Sequence, residues 1–172
     1  MKQKIKIVYS NYYYNEVIKN MVAHAQKKLN VFDLDIVEVS GSFDIPFEIA
    51  RSIKEDTIDN QKKEDLFKGK GSKEIRDNIV QMAKLSQLNI NNQCIYSGYL
   101  ALGCIIKGKT INHEAISTSI FTNLQRISIE NVIPIGNGIF NANNLKEAKE
   151  KKIQCTEQAA KVLKNFLIKK EK

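Results

Sequence analysis

The run from Ile95 to Ile106, IYSGYLALGCII, is the most apolar stretch of the chain. A strand buried on both faces at the centre of a parallel sheet reads this way, as a near-continuous hydrophobic run rather than an alternating one. The run is well short of the roughly 20 apolar residues that a membrane span needs. Such a strand must have further strands beside it and helices above and below it, and the flanking sequence supplies both.

Upstream, Lys4 to Ser10 (KIKIVYS) alternates and then turns apolar, which suits a first strand. Asn15 to Leu29 carries Val17 or Ile18, Met21 or Val22, Ala25 and Leu29 at helical spacing. Leu34 to Val39 is a second strand, ended by the turn Ser40-Gly41-Ser42. Pro46 is tolerated in a first helical turn, and Phe47, Ile49, Ala50 and Ile53 continue that helix. Downstream, Gly108-Lys109-Thr110 closes the apolar run. A helix over Asn112 to Glu130 then sets Ile116, Ile120, Leu124 and Ile127 on one face. Val132 to Ile135 reads as the fourth strand, followed by the loop Gly136-Asn137-Gly138. Asn143 or Asn144 caps a short helix through Lys151, and Thr156 to Ile168 forms the last helix.

Strand and helix therefore alternate, which implies a three-layer α/β/α sandwich around a four-stranded parallel sheet. The stretch from Glu55 to Asn92 departs from this pattern. It is polar and Lys-rich, with Gly69 and Gly71, and reads as a mobile loop plus one amphipathic helix over Lys73 to Leu88. It is expected to be an insertion at about 55–92 in a single domain spanning 1–172. Joining a helix back to a strand, it should emerge opposite the strands' carboxyl ends, where ligands sit in such sheets. The loops to watch are then Ser10–Tyr14, Ser40–Asp44, Lys107–His113 and Gly136–Phe140.

Composition narrows the function. At 172 residues with 42% hydrophobic content the chain has material for one domain with a real core. The net charge of +8 could favour an anionic ligand. The basic residues are interleaved with acids, however: Gln61 to Arg76 holds six Lys or Arg against three Asp or Glu. Neither this stretch nor the Lys-rich tail from Lys161 resembles a nucleic-acid signature, and a solvated basic surface is expected instead. Cys94, Cys104 and Cys155 form no CxxC pair and no disulfide framework. Cys104 reads as a small core residue. With only His24 and His113 available, no metal site is expected. MKQKIKIVYS has no apolar signal region, so a cytoplasmic protein is expected.

Each loop has some chemistry and an ordinary alternative. Tyr12, Tyr13 and Tyr14 offer a flat stacking surface for a heterocycle, or cover a helix or subunit contact. Ser42, Phe43 and Asp44 put backbone N–H groups, an aromatic ring and a carboxylate at a helix start, where Asp also simply favours the dipole. Gly108-Lys109-Thr110 before a helix suits a phosphate. His113, at the same helix start, could shuttle protons near neutral pH or pack as a surface residue.

Taken together, SGSFDIP (Ser40–Pro46), LALGCIIKGKT (Leu100–Thr110) and PIGNGI (Pro134–Ile139) strongly resemble the lumazine synthase family. The resemblance covers nearly the whole chain outside Glu55 to Asn92. It implies a flavodoxin-like fold of the lumazine synthase type and no cofactor. The implied reaction condenses 5-amino-6-(D-ribitylamino)uracil with 3,4-dihydroxy-2-butanone 4-phosphate, giving 6,7-dimethyl-8-ribityllumazine, phosphate and water. By position, the resemblance assigns Tyr12, Ser42, Phe43, Asp44, Cys104, Ile105, Ile106 and Asn137 to the pyrimidine and ribityl pocket. It assigns Lys109, Thr110 and Lys151 to phosphate, Lys151 standing where the family usually has Arg. It also implies pentamers, or assemblies of pentamers, with the site between adjacent subunits, and it admits riboflavin synthase as a partner; no nucleic acid and no membrane are expected.

The catalytic position departs from the family pattern G-x-T-x-H. Here the run is Gly108-Lys109-Thr110-Ile111-Asn112-His113, so Asn112 holds the histidine's place and His113 follows it. One residue turns a helical side chain by about 100°. Either His113 takes over from an altered first turn, or positioning alone supports a slower reaction. The alternative is a catalytically impaired relative that keeps the assembly and binds a ribitylated pyrimidine or flavin without turnover.

Overall fold

The computed structural model describes residues 2–63, 95–108 and 112–168, with only the backbone course over 57–63. The chain divides into two compact units, Met1–Arg51 with Tyr96–Lys172, and Ser52–Ile95.

In the first unit, strand β1 (Lys4–Ser10) leads through a π-helical turn (Tyr14–Ile18) into helix α1 (Lys19–Lys28). Strand β2 (Asp33–Val39) leads through a 3₁₀ turn (Ser42–Asp44) into helix α2 (Ile45–Lys63), of which the residues up to Arg51 belong to this unit and the rest to the second. Strand β3 (Gly98–Ile106), helix α3 (Asn112–Asn131), strand β4 (Ile135–Ala142) and helix α4 (Leu145–Leu167) follow. The sheet is four-stranded in the order β2-β1-β3-β4, and every pairing is parallel. This is the α/β fold that the alternation of strands and helices predicts, with β3 buried along nearly its whole length.

Pleating divides the sheet residues between two faces. Ile5 and Ile7 of β1, Leu100, Leu102 and Cys104 of β3, and Phe140 and Ala142 of β4 share one core with α1 and α4. Met21, Ala25 and Leu29 are the inward residues at the α1 end, and Ala148, Ala159, Ala160 and Leu163 those of α4. Full burial of a side chain such as Leu100 stabilises by roughly 1.5–3 kcal/mol. On the other face, Lys6 of β1 reaches Glu48 in the first turns of α2 at 3.5 Å, with both side chains nearly covered. Arg51 holds the second Glu48 oxygen at 2.7 Å.

Four sequence expectations change. The fourth strand is Ile135–Ala142, not Val132–Ile135, so Gly136, Asn137 and Gly138 lie inside it. The glycines are there because α4 lies close over β4. A Cβ on Gly136 would stand 2.5 Å from the Ala159 carbonyl oxygen, and one on Gly138 2.8 Å from the Leu102 side chain. Second, the two expected C-terminal helices are one helix, α4. Nothing between Lys151 and Thr156 breaks it, and Asn144 caps its start by accepting from the Glu147 N–H at 3.0 Å. Third, the loop expected from Glu55 is helical through Lys63, because no Gly or Pro interrupts the chain after Pro46 until Gly69. Fourth, the inward stripe of α3 is Ser117, Ile120, Leu124 and Ile127; Ile116 lies on the exposed side. The amphipathic helix expected over Lys73 to Leu88 lies outside the described residues.

Candidate active site

Three segments meet at the carboxyl edge of the sheet. Ser10 ends β1 opposite Val39, which ends β2, and the Asn11 N–H continues the ladder to the Val39 carbonyl at 2.8 Å. The chain after β2 then folds back onto β3. Ser42 is only 8% exposed, and its hydroxyl lies so close to Gly103 that a Cβ there would be 2.6 Å from Oγ. Glycine at 103 is therefore what allows the Ser40–Pro46 turn to seat on the LALGCII strand. The Ser42 Oγ is buried and makes no hydrogen bond among the described residues.

The turn's other residues divide by role. Asp44 Oδ2 accepts the Gly41 N–H at 2.9 Å, and the Asp44 N–H donates to the Gly41 carbonyl at 3.1 Å, so the carboxylate braces its own turn. Phe43 projects outward, 61% exposed. Tyr12, at the neighbouring β1 end, is 65% exposed with its ring edge-to-face against Tyr13. Tyr9, Tyr13 and Tyr14 instead pack against the α1/α4 core. The Tyr9 hydroxyl donates to Glu38 Oε2 at 2.9 Å; burial foremost, with Glu38 adding, pushes it up to about 12.

At the end of β3, Ile105 is buried and Ile106 half-buried. Cys104 and Ile106 point away from Ile105, toward the α1/α4 core. Burial first, and the nearby Cys155 second, pushes the Cys104 thiol up to about 12. Cys155 is shifted in the same direction by its own burial. The Lys107 N–H donates to the Ala142 carbonyl at 2.9 Å, which brings the ends of β3 and β4 together. Lys109 and Thr110 lie outside the described residues.

Helix α3 is regular from Asn112, which corrects the expectation that a role for His113 needs an altered first turn; His113 turns inward from an ordinary helical turn, and Asn112 diverges from it. Asn112 is exposed. His113 heads the inward stripe, one turn before Ser117; its side chain is 14% exposed with Nε2 3.8 Å from Glu114 Oε1. Ser117 Oγ donates to the His113 carbonyl at 2.8 Å and accepts from Asn141 Nδ2 of β4 at 3.0 Å. This link between α3 and β4 is absent from the sequence reading, although Ser117 stands three residues before Ile120 on the same periodic stripe.

Lys151 stands apart from this cluster within one chain. Asn137 is exposed on β4, paired with Ala101 and two residues before Ile139, which pairs with Gly103, so it lies roughly 7 Å along the strand from the Ser42–Gly103 contact. Its Oδ1 accepts the Ile139 N–H at 3.0 Å. Lys151 is on the exposed side of α4 and pairs with Glu147. That pairing foremost, then the Asn143 backbone and side-chain N–H groups, holds the Glu147 carboxyl down at about 2, and the pairing with Glu147 raises Lys151. The buried Lys6–Glu48 pair is also missing from the sequence reading, because KIKIV resembles a strand whose lysines face water.

The chain also matches known proteins. A model of the family described as 6,7-dimethyl-8-ribityllumazine synthase matches residues 60–168. A 6,7-dimethyl-8-ribityllumazine synthase of Buchnera aphidicola is 45% identical over 62 residues, which is 36% of this chain and 39% of that one. The protein of the same name from Bartonella bacilliformis is 26% identical over 138 residues, 79% of this chain and 67% of that one. That of Blochmanniella pennsylvanica is 41% identical over 56 residues, 33% and 35% of the two chains. The matches to the Buchnera and Blochmanniella proteins thus span less than two fifths of each relative's length. The family match reaches over well more than half of the chain and includes β3, α3, β4 and α4, whose parallel order the structure displays, and on that ground the chain belongs to the 6,7-dimethyl-8-ribityllumazine synthase family.

Proposed function

We propose that this chain is a transferase of riboflavin biosynthesis that forms 6,7-dimethyl-8-ribityllumazine, phosphate and water from 5-amino-6-(D-ribitylamino)uracil and 3,4-dihydroxy-2-butanone 4-phosphate. The observation that carries the reading is the seating of the SGSFDIP turn on the LALGCII strand through Ser42 and Gly103. Two segments that the family resemblance singles out, some sixty residues apart in sequence, interlock at the sheet edge where ligands bind in this class of fold.

In this reading the protein's work is positioning and proton transfer. Tyr12 and Phe43 present exposed rings beside the turn, suited to stacking on a flat pyrimidine. Ser42, with a buried hydroxyl that makes no other hydrogen bond among the described residues, is suited to a ribityl or uracil oxygen. Lys109 and Thr110 precede α3, whose N-terminus favours the phosphate. The amine attacks the ketone, the imine forms with loss of water, phosphate leaves, and the ring closes with loss of a second water. His113 is the better candidate for moving the protons, because it heads the inward stripe of α3 while Asn112 faces solvent and cannot titrate usefully. Asn137 would serve the pyrimidine pocket, and Lys151 would reach the phosphate of a neighbouring subunit's site. The exposed rings of Phe43 and Phe47, with Ile116 and Ile129 on α3, give a second copy an apolar surface to cover.

The test is lumazine formation by the purified chain with both substrates, alongside a size measurement. Turnover that needs both substrates, from a ring-shaped oligomer, is expected. His113→Ala should lower kcat by about 10²-fold while Asn112→Ala changes it little. Binding of the lumazine without turnover would replace this reading with that of an impaired, ligand-binding relative.

A further inference from the structure

Tyr12 and Tyr13 are the two central residues of a tight turn closed by the Tyr14 N–H on the Asn11 carbonyl at 3.1 Å. The turn is tied at its base twice. The Asn11 N–H extends the β1–β2 ladder, and the Tyr12 N–H donates at 3.2 Å to the hydroxyl of Ser10, a fully buried residue. Tyr13 has φ 58 and ψ 34, the left-handed region that residues with an aromatic side chain avoid. Its carbonyl accepts from both Val17 and Ile18, at 2.9 and 3.2 Å, which widens the next turn into the π form. Glycine or asparagine would fill this backbone position without strain. A tyrosine sits there instead, half-buried against the α1/α4 core, its ring 5.4 Å from that of Tyr12 at an interplanar angle of 74°.

Strain kept at a residue that touches an exposed site ring points to a use for its side chain. We infer that Tyr13 is a positioning residue, its ring set edge-on by a left-handed backbone so that Tyr12 is held ready to stack on the pyrimidine ring of the substrate. The inference rests on the function proposed above. Tyr13 packs against the core and meets the Tyr12 ring in an edge-to-face contact, so an exposed side chain that would otherwise sample several rotamers is restricted before the ligand arrives.

The experiment compares Tyr13→Phe, Tyr13→Leu, Tyr12→Leu and the double leucine variant in the full chain. It measures KM for each substrate, kcat, and Kd for 6,7-dimethyl-8-ribityllumazine by fluorescence titration. Tyr13→Phe keeps the ring and should match the parent protein. Tyr13→Leu should raise the lumazine Kd and the KM for the pyrimidine about fivefold, the scale of one aromatic edge contact, with the KM for the butanone phosphate unchanged. Because Tyr13 acts through Tyr12, the double variant should bind no worse than Tyr12→Leu alone. If Tyr13→Leu does not fold, Tyr13→Asn, which suits the left-handed backbone, should show the same loss. Additive losses in the double variant, equal changes in both KM values, or a leucine variant that binds like the parent would each overturn the inference. A parent protein that neither binds the lumazine nor makes it would overturn the proposed function instead.

Discussion

The two faces of the sheet are built from different materials. Against α1 and α4 the interior is aliphatic: Ile5, Ile7, Met21, Leu29, Leu100, Leu102 and Leu163 are all fully buried, and small residues let α4 lie close on β4. Toward α2 and α3 the interior includes Lys6 with Glu48, Ser42 against Gly103, and Ser117 bonded to Asn141. Apolar burial is non-directional and tolerates any well-filled arrangement, whereas buried polar groups are costly unless their geometry is met. Both faces bury apolar side chains, with Val8, Ile45, Ile49 and Ile120 on the second, so both supply stability, and the second supplies fixed positions as well. The exposed rings of the candidate site, Tyr12 and Phe43, lie at the carboxyl edge of the sheet.

Substituting one glycine from each face tests that division most strongly. Gly136→Ala drives a methyl group into the Ala159 backbone carbonyl, which no rotamer change can relieve. Urea unfolding should show a loss of about 3 kcal/mol, the upper range for overpacking. Gly103→Ala meets the Ser42 hydroxyl first, which can swing aside, with Ser42 Cβ and Ile139 next at 3.2 and 3.3 Å. It should cost about 1 kcal/mol in stability, at the low end of that range. It should nevertheless weaken lumazine binding more than Gly136→Ala does. If Gly103→Ala unfolds the protein as readily as Gly136→Ala, the two faces do not differ in this respect.

A smaller effect is expected just beyond α3. Val132 has φ 52 and is 86% exposed, a β-branched residue in a left-handed conformation with little packing to justify it. Val132→Gly should stabilise by about 1 kcal/mol in the same unfolding measurement, through relief of backbone strain. A destabilised variant would mean that Val132 makes a packing contribution larger than its strain.

The smallest effect is a pH dependence at the start of α4. Glu147 is held down at about 2, against an ordinary value of 4.5, by Lys151 and by Asn143. A depressed carboxyl binds fewer protons folded than unfolded, so its contribution is present above the ordinary value and fades as pH falls toward 2. Thermal melts of the parent and Glu147→Gln should therefore differ slightly at pH 7 and converge near pH 2. The side chain is on the surface, so added salt should shrink the difference at pH 7. A difference that persists at pH 2 would assign the effect to the N-cap geometry rather than to charge.

Much of the fold is legible in the residues. The period of two in KIKIV, the continuous apolar run into Ile106, and the helical spacing through Ile120, Leu124 and Ile127 report local geometry, and each element appears where its pattern stands. Of the candidate site, the Ser40–Pro46 turn and the Leu100–Thr110 run could be singled out in the sequence. Their meeting at Ser42 and Gly103 could not, nor could which of Asn112 and His113 faces inward.

Alternation of hydrophobic runs and turn residues by itself determined that this chain forms a parallel α/β sheet with β3 at its interior, because backbone periodicity decides which side chains can be buried together. Whether Gly136 and Gly138 end a strand or lie within it, whether α4 is one helix or two, and whether Lys6 faces water or Glu48 were decided only by the tertiary structure. Each of those outcomes depends on what another element places within a few ångströms, and local spacing carries no record of that neighbour.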